Sequence, residues 1–199
     1  DLSPALDHPY YSKQSPQAKK GYVYAFGLRN PFAITEAFGH FFAVDNGVEI
    51  DRFLKVESGR DYLWAGSDVV MKLNNLMTFS DNMGPSGVVY VPMDHPMKKL
   101  RGHFVVAASH KASLLAIPYT EGLGVSGSPW WVLRRNSNLK RQDFAGLALG
   151  PDGLYITHIR MRKTEGIIPS PILKVVEADR VVVQKLAVTG ERLLQDRGC

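Results

Sequence analysis

The stretch GHFVVAASH, residues 102–110, runs from a glycine through five apolar residues to a polar Ser-His end. A short apolar run between a turn residue and polar residues reads as one β-strand. Two other stretches have the same form: GHFFAVDNG at 39–47 and DGLYITHIR at 152–160. Each puts a glycine turn before an apolar strand that ends in polar residues, and successive copies lie about 50 to 60 residues apart. That interval is near the length of one four-stranded propeller blade with its loops. Chance similarity among the strands of a β-sandwich is the competing explanation. Propellers close with roughly four to eight blades. The 199 residues hold about three such units, so the chain reads as part of a ring.

Working outward, further strands are expected at Tyr22 to Phe26, His40 to Val44, Gly87 to Val91, His103 to Ala108, Ser113 to Ile117, Gly146 to Leu149, Gly153 to Thr157, Ile172 to Val176 and Val181 to Lys185. Each is bounded by Gly, Pro, Asn, Asp or Ser. SGSPWW at 126–131 reads as a connection between blades, and Asp152-Gly153 as a tight turn into a strand. The only convincing helical pattern is the terminal VTGERLLQDRG. The expected fold is therefore all-β: a partial propeller over residues 1–180, then a linker and short helix over 181–199.

Composition fits an ordered globular chain, 45% hydrophobic and 22% charged. Net charge is +5, but the basic residues are scattered as Lys19-Lys20, Lys98-Lys99, Arg134-Arg135 and Arg160 to Lys163. They form no stripe, so a nucleic-acid partner is not expected. No apolar run approaches the ~20 residues of a membrane-spanning helix, and DLSPALDHPYY lacks the form of a signal peptide. The single cysteine, Cys199, allows no internal disulfide and no thiolate-rich metal site within the chain.

The stretch YAFGLRNPFAI, 24–34, sets Arg29, Asn30 and Pro31 inside an apolar segment. A proline in a sheet belongs at an edge or strand end, and it extends the residue before it. Arg29 and Asn30 then project from a stiff corner. A guanidinium fork suits carboxylates and an amide suits a neighbouring oxygen, so the pair could hold a planar polyanion or could tie down adjacent loops.

GLRNPFAI, then the strand HFFAVDNGV, then an Asp and VESGRDYLW resemble the succession found in the glucose/sorbosone dehydrogenase family. GPSGVVYV, LRGHFVVAASHKASLLAI and DFAGLALGPDGLYITH are similar to further segments of that family, so the resemblance covers most of residues 20 to 176. It implies a six-bladed propeller that oxidises sugars with pyrroloquinoline quinone. Arg29 and Asn30 stand at the family's quinone-contacting Arg-Asn. Lys111 matches the lysine that reaches a quinone carboxylate, and a solvated charge at a strand end is its plainer reading. Gly47 and Val48 stand where the family's Gly-Pro carbonyls bind calcium. The proline is replaced by valine, and Asp51-Arg52 stands where the family has Asp-Glu, which turns one carboxylate into a cation.

The family's general base is a histidine on an earlier blade, and no segment here matches its surroundings, so no catalytic residue is assigned. His40 and His103 precede strands and suit structural roles, whereas His110 and His158 end strands and could face a cleft or solvent. Lys140 and Arg141 sit at a different offset from the family's paired arginines. Trp64, Trp130 and Trp131 could stack on a ring but suit packing between blades better.

LAVTGERLLQDRGC resembles the first helix of a c-type cytochrome, with Cys199 as the first cysteine of a haem-attachment motif. This implies a haem c domain beyond Cys199, earlier blades before Asp1 and a periplasmic or other extracytoplasmic location. The leading expectation is oxidation of an aldose or related alcohol, with hydride passed to the quinone and electrons passed to the haem or a quinone pool. The alternatives are a non-catalytic propeller that binds carbohydrate or protein, and a lactonase-like hydrolase with a calcium ion held by Asp45, Asn46 and Asp51.

Overall fold

The computed structural model describes residues 24–48, 50–64, 75–79, 82–133, 142–162, 166–168 and 172–177, with backbone alone at 142–143, 158–162 and 166–168. Three antiparallel sheets follow one another along the chain. The first joins β1 (Pro31–Ala37), β2 (His40–Asp45), β3 (Asp51–Val56) and β4 (Met77–Phe79) in that order. The second is built on β5 (Pro85–Val91), β6 (His103–Ala108) and β7 (Ser113–Thr120), with β8 (Gly124–Val125) and β9 (Trp130–Leu133) both pairing with β7. The third joins β10 (Gln142–Gly150), β11 (Gly153–Arg162) and β12 (Gly166–Ile168), with β13 (Ile172–Val175) also on β11. This is the expected set of three blades.

The prolines act as anticipated. Pro31 and Pro85 are the first residues of β1 and β5, each an edge strand of its sheet, and the register shifts by a bulge within the next two residues. A missing N–H is tolerated at such an edge. SGSPWW does not connect blades. Its first four residues lead into β9, and both tryptophans lie in that outer strand of the second sheet. Tyr22 to Phe26 is also not a ladder strand over its described part, where Phe26 makes a single parallel bridge to Asp61. The expected strand Val181 to Lys185 and the terminal helix lie outside the described residues.

The middle sheet explains why GHFVVAASH is apolar without alternation. Phe104, Val106 and Ala108 face the first sheet, where they pack with Phe42, Val44 and Phe53. Val105 and Ala107 face the third sheet, against Phe144, Leu154 and Ile156. A strand buried on both faces needs hydrophobic residues at every position. The first interface is aromatic, with ring centroids of Phe42 and Phe104 4.5 Å apart and those of Phe104 and Tyr119 5.1 Å apart.

Edge strands of neighbouring sheets approach closely. A Cβ on Gly87 of β5 would lie 2.6 Å from Leu147 Cβ and 2.8 Å from Leu147 N of β10. Beside it, Ser86 Oγ donates to Phe144 O at 2.7 Å. Toward the other end of these strands, His95 Nδ1 accepts from Met97 N at 3.2 Å, which leaves Nε2 to donate to Gly150 O at 2.8 Å. His95 therefore joins the second and third blades.

Candidate functional site

The corner forms because residues 24–27 lie alongside 59–64. Gly59 N donates to Tyr24 O, Phe26 N to Arg60 O, Tyr62 N to Phe26 O and Trp64 N to Gly27 O, all between 2.8 and 3.1 Å. The two stretches that the sequence separates, GLRNP and GRDYLW, are thus adjacent in space. Gly27 has φ +72°, and a Cβ there would lie 2.0 Å from Asp61 Oδ1, so close approach demands glycine. Asp61 Oδ1 also accepts from Leu63 N at 2.8 Å.

Asp45, at the end of β2, holds the corner from below. Its Oδ1 accepts from Asn30 N at 2.7 Å and its Oδ2 from Arg29 N at 3.3 Å. Asn46 N donates to Asn30 O at 3.0 Å. Asp45 stands opposite Arg52 in the ladder of β2 and β3, and both side chains have no exposed surface. Arg52 donates to Asp45 Oδ2 through Nε at 3.1 Å and Nη2 at 2.5 Å. It also donates to Tyr62 O at 2.6 Å and to Gly27 O at 3.3 Å. One guanidinium therefore ties together β2, the corner and the neighbouring loop. Neither its pairing with Asp45 nor the role of Asp45 beneath the corner was read from the sequence. The available signal was opposite charges at the facing ends of two apolar runs joined by a short loop.

Asp51 carries the connection to the next blade. Its Oδ1 accepts from Gly47 N at 3.1 Å and its Oδ2 from Gly84 N at 2.9 Å. Burial holds this carboxyl above its ordinary range, opposed by those backbone donors and by the positive charge of His110. Gly84 O and Met83 O in turn accept from Ser109 N and His110 N, at 2.9 and 3.1 Å. His110 Nδ1 lies 3.2 Å from Asn82 O and 3.1 Å from Asn82 Oδ1. The turn that follows carries Lys111, with Ala112 N donating to Ser109 O at 3.0 Å. Arg29, Asn30, Gly47, Val48 and Lys111 thus lie at one end of the first two sheets, joined by a continuous path through Asp45, Asp51 and Gly84. Arg29, Asn30, Val48 and Lys111 are exposed, and Gly47 is half-buried.

The other candidates lie elsewhere. His40 and His103 begin β2 and β6, at the opposite end. His103 packs edge-on against Trp130, and Trp131 packs against the core of the first interface. Trp64 follows the corner and is partly exposed. His158 lies within β11, where only the backbone is described, and Lys140 and Arg141 fall outside the described residues.

The residues around the corner suit a planar polyanion: an exposed guanidinium, an amide and an ammonium group stand on one end. The described residues do not suit calcium, which takes six to eight oxygen ligands. Gly47 O accepts from Arg29 Nη1 at 3.3 Å, and the same nitrogen donates to Asn46 O at 3.0 Å. Both carboxylates of Asp45 and of Asp51 are engaged by N–H donors. Asn46 Oδ1 is buried without a partner, which supplies one neutral oxygen. No group of three His, Cys, Asp or Glu side chains able to hold a metal occurs among the described residues.

Solved structures similar to this one include several sugar dehydrogenases. A glucose dehydrogenase matches with a TM-score of 0.64 at 17% identity, over 88% of this chain and 52% of its own length. A second glucose dehydrogenase matches with a TM-score of 0.63 at 19% identity, over 88% and 48%. The chain shares the propeller fold of these sugar dehydrogenases. The soluble aldose sugar dehydrogenase from Escherichia coli, in its apo-form, matches with a TM-score of 0.59 at 13% identity, over 87% and 50%. The chain spans about half the length of these sugar dehydrogenases. No family model matches the chain, and no curated protein matches it in sequence.

Proposed function

We propose that this chain forms three blades of a sugar dehydrogenase that oxidises an aldose or related alcohol with pyrroloquinoline quinone. The observation that carries this reading is the hydrogen-bonded path from the Arg29–Asn30 corner to the turn bearing Lys111. It ties the backbone that carries Arg29 and Asn30 to the backbone that carries Lys111, on one end of adjacent blades. The names of the similar structures support the substrate class. When bound, such a quinone supplies the hydride acceptor for the sugar. The chain's own part is to bind and orient it: Arg29 and Lys111 offset its carboxylates, and Asn30 donates an amide N–H to a neighbouring oxygen. Delivery of electrons to a haem c domain or a quinone pool, and a location outside the cytoplasm, belong to the same proposal.

The test is sugar-dependent dye reduction by the complete propeller that contains this chain, with and without added quinone. Reduction that requires both an aldose and the quinone is the expected result. A second reading is a non-catalytic propeller that binds carbohydrate, favoured by the engagement of Gly47 O and both aspartates within the protein. Sugar binding without quinone binding would establish it.

A further inference from the structure

We infer that the Arg52 guanidinium is the fixed positive charge beneath the Arg29–Asn30 corner, so that the corner is built without calcium. Arg52 is fully buried and makes four hydrogen bonds, two to Asp45 and one each to the carbonyls of Tyr62 and Gly27. These partners are the parts that define the corner: the carboxylate that holds Arg29 N and Asn30 N, the carbonyl at the corner's glycine, and the facing loop. A guanidinium keeps its charge at every ordinary pH, and its planar fork fixes directions as well as charge.

The carboxylate of Asp45 faces the Arg52 guanidinium, and the Arg29 guanidinium donates to the loop carbonyls of Asn46 and Gly47. A divalent ion would add positive charge close to two guanidiniums, one of them buried. It would also have to compete with Arg29 for Gly47 O. Coulomb repulsion between charges a few ångströms apart disfavours that exchange. The inference does not depend on the quinone reading, because it concerns how the corner is held.

The experiment uses the complete propeller that contains this chain, unaltered and with one substitution. After treatment with a chelator, the melting temperature is measured with chelator, with millimolar calcium, and with calcium plus pyrroloquinoline quinone. Terbium luminescence sensitised by the chain's aromatic residues is followed in parallel. The expected result is the same melting temperature with chelator and with calcium, no added shift when calcium joins the quinone, and no terbium signal that calcium displaces. A bound ion at saturating concentration would raise the melting temperature by several degrees. Such a rise in either calcium arm overturns the inference.

In the Arg52→Gln variant, hydrogen exchange at the Asn30 amide is expected to quicken at least tenfold while Val105, in the middle blade, keeps its protection. Unchanged protection of Asn30 in a folded Arg52→Gln chain also overturns the inference. Where that variant does not fold, the calcium arms decide alone, since they need no substitution. A failure of quinone binding with an unresponsive calcium arm leaves this inference standing and removes only the functional reading.

Discussion

Asp51 Oδ2 of the first blade accepts a hydrogen bond from Gly84 N of the second at 2.9 Å, while its Oδ1 accepts from Gly47 N. One carboxylate thus couples the loop beside the Arg29 corner to the segment on which the Lys111 turn rests. Asp51→Ala leaves both donors without an acceptor, and a buried unpaired donor costs about 1–3 kcal/mol. The variant is expected to lose about 2–3 kcal/mol of stability in denaturant unfolding. Asp51→Asn, which keeps one carbonyl oxygen, should lose less. Equal losses would show that the two bonds do not act as a strap.

The same carboxylate sets a pH dependence. Burial is the main influence on Asp51 and raises its pKa above the ordinary 3.8. A raised folded pKa means that the folded state binds the proton more tightly than the unfolded one. Asp51 therefore contributes stability at low pH that is lost as pH rises through its folded pKa. Asp152 is the opposite case. Its hydrogen bonds from Lys174 and from Tyr155 lower its pKa, so its contribution is present above 3.8 and lost as pH falls through its folded pKa. Carboxyl titration by NMR should place the Asp51 midpoint above 3.8 and the Asp152 midpoint below it. The reverse order would refute the assignment of burial as the governing influence on Asp51.

Close approach of the blades makes a separate prediction at Gly87. An added Cβ would meet Leu147 Cβ at 2.6 Å and the Leu147 backbone nitrogen at 2.8 Å, and a backbone neighbour cannot step aside cheaply. Gly87→Ala is expected to cost about 1–3 kcal/mol, the usual range for overpacking. Gly39 is the control. Its φ is +70°, but nothing lies within 4 Å of an added Cβ, so Gly39→Ala bears backbone strain alone. Thermal unfolding should therefore rank Gly87→Ala as the more damaging of the two.

What the sequence made legible follows from which faces are buried. β6 is covered on both sides, so its apolar run stood out and its copies gave the blade interval. β1 was harder to read, because its large apolar side chains, Phe32 and Ile34, are exposed and only the small Ala33 and Ala37 turn to the core. β3 begins with Asp51 and Arg52, charges that signal a loop when their partners are unknown, yet both are buried. The corner itself was legible because Pro31 restricts the backbone locally. Its support was not, because Asp45 and Arg52 come together only when β2 and β3 pair. Pairing across strands is a tertiary fact, and the opposite charges at the facing ends of the two runs do not by themselves decide it.

The electrostatic role of Lys111 is open to direct measurement. It is exposed on the turn after β6, with its backbone fixed by the donation of Ser113 Oγ to Lys111 O at 2.9 Å. Removing its side chain should therefore leave the fold intact: Lys111→Ala is expected to unfold within about 0.5 kcal/mol of the parent, the usual range for surface changes. Charge-assisted hydrogen bonds contribute about 1.5–3 kcal/mol, which corresponds to roughly a tenfold to hundredfold change in affinity. Lys111→Ala and Arg29→Ala should each weaken quinone binding by about that factor in titration calorimetry of the complete propeller. The loss should shrink as salt is added, because the interaction is between exposed charges. Arg29→Ala should in addition free Gly47 O, the carbonyl its Nη1 now engages. If Lys111→Ala binds the quinone as tightly as the parent, the second blade plays no part in holding it, and the ligand rests on the first blade alone.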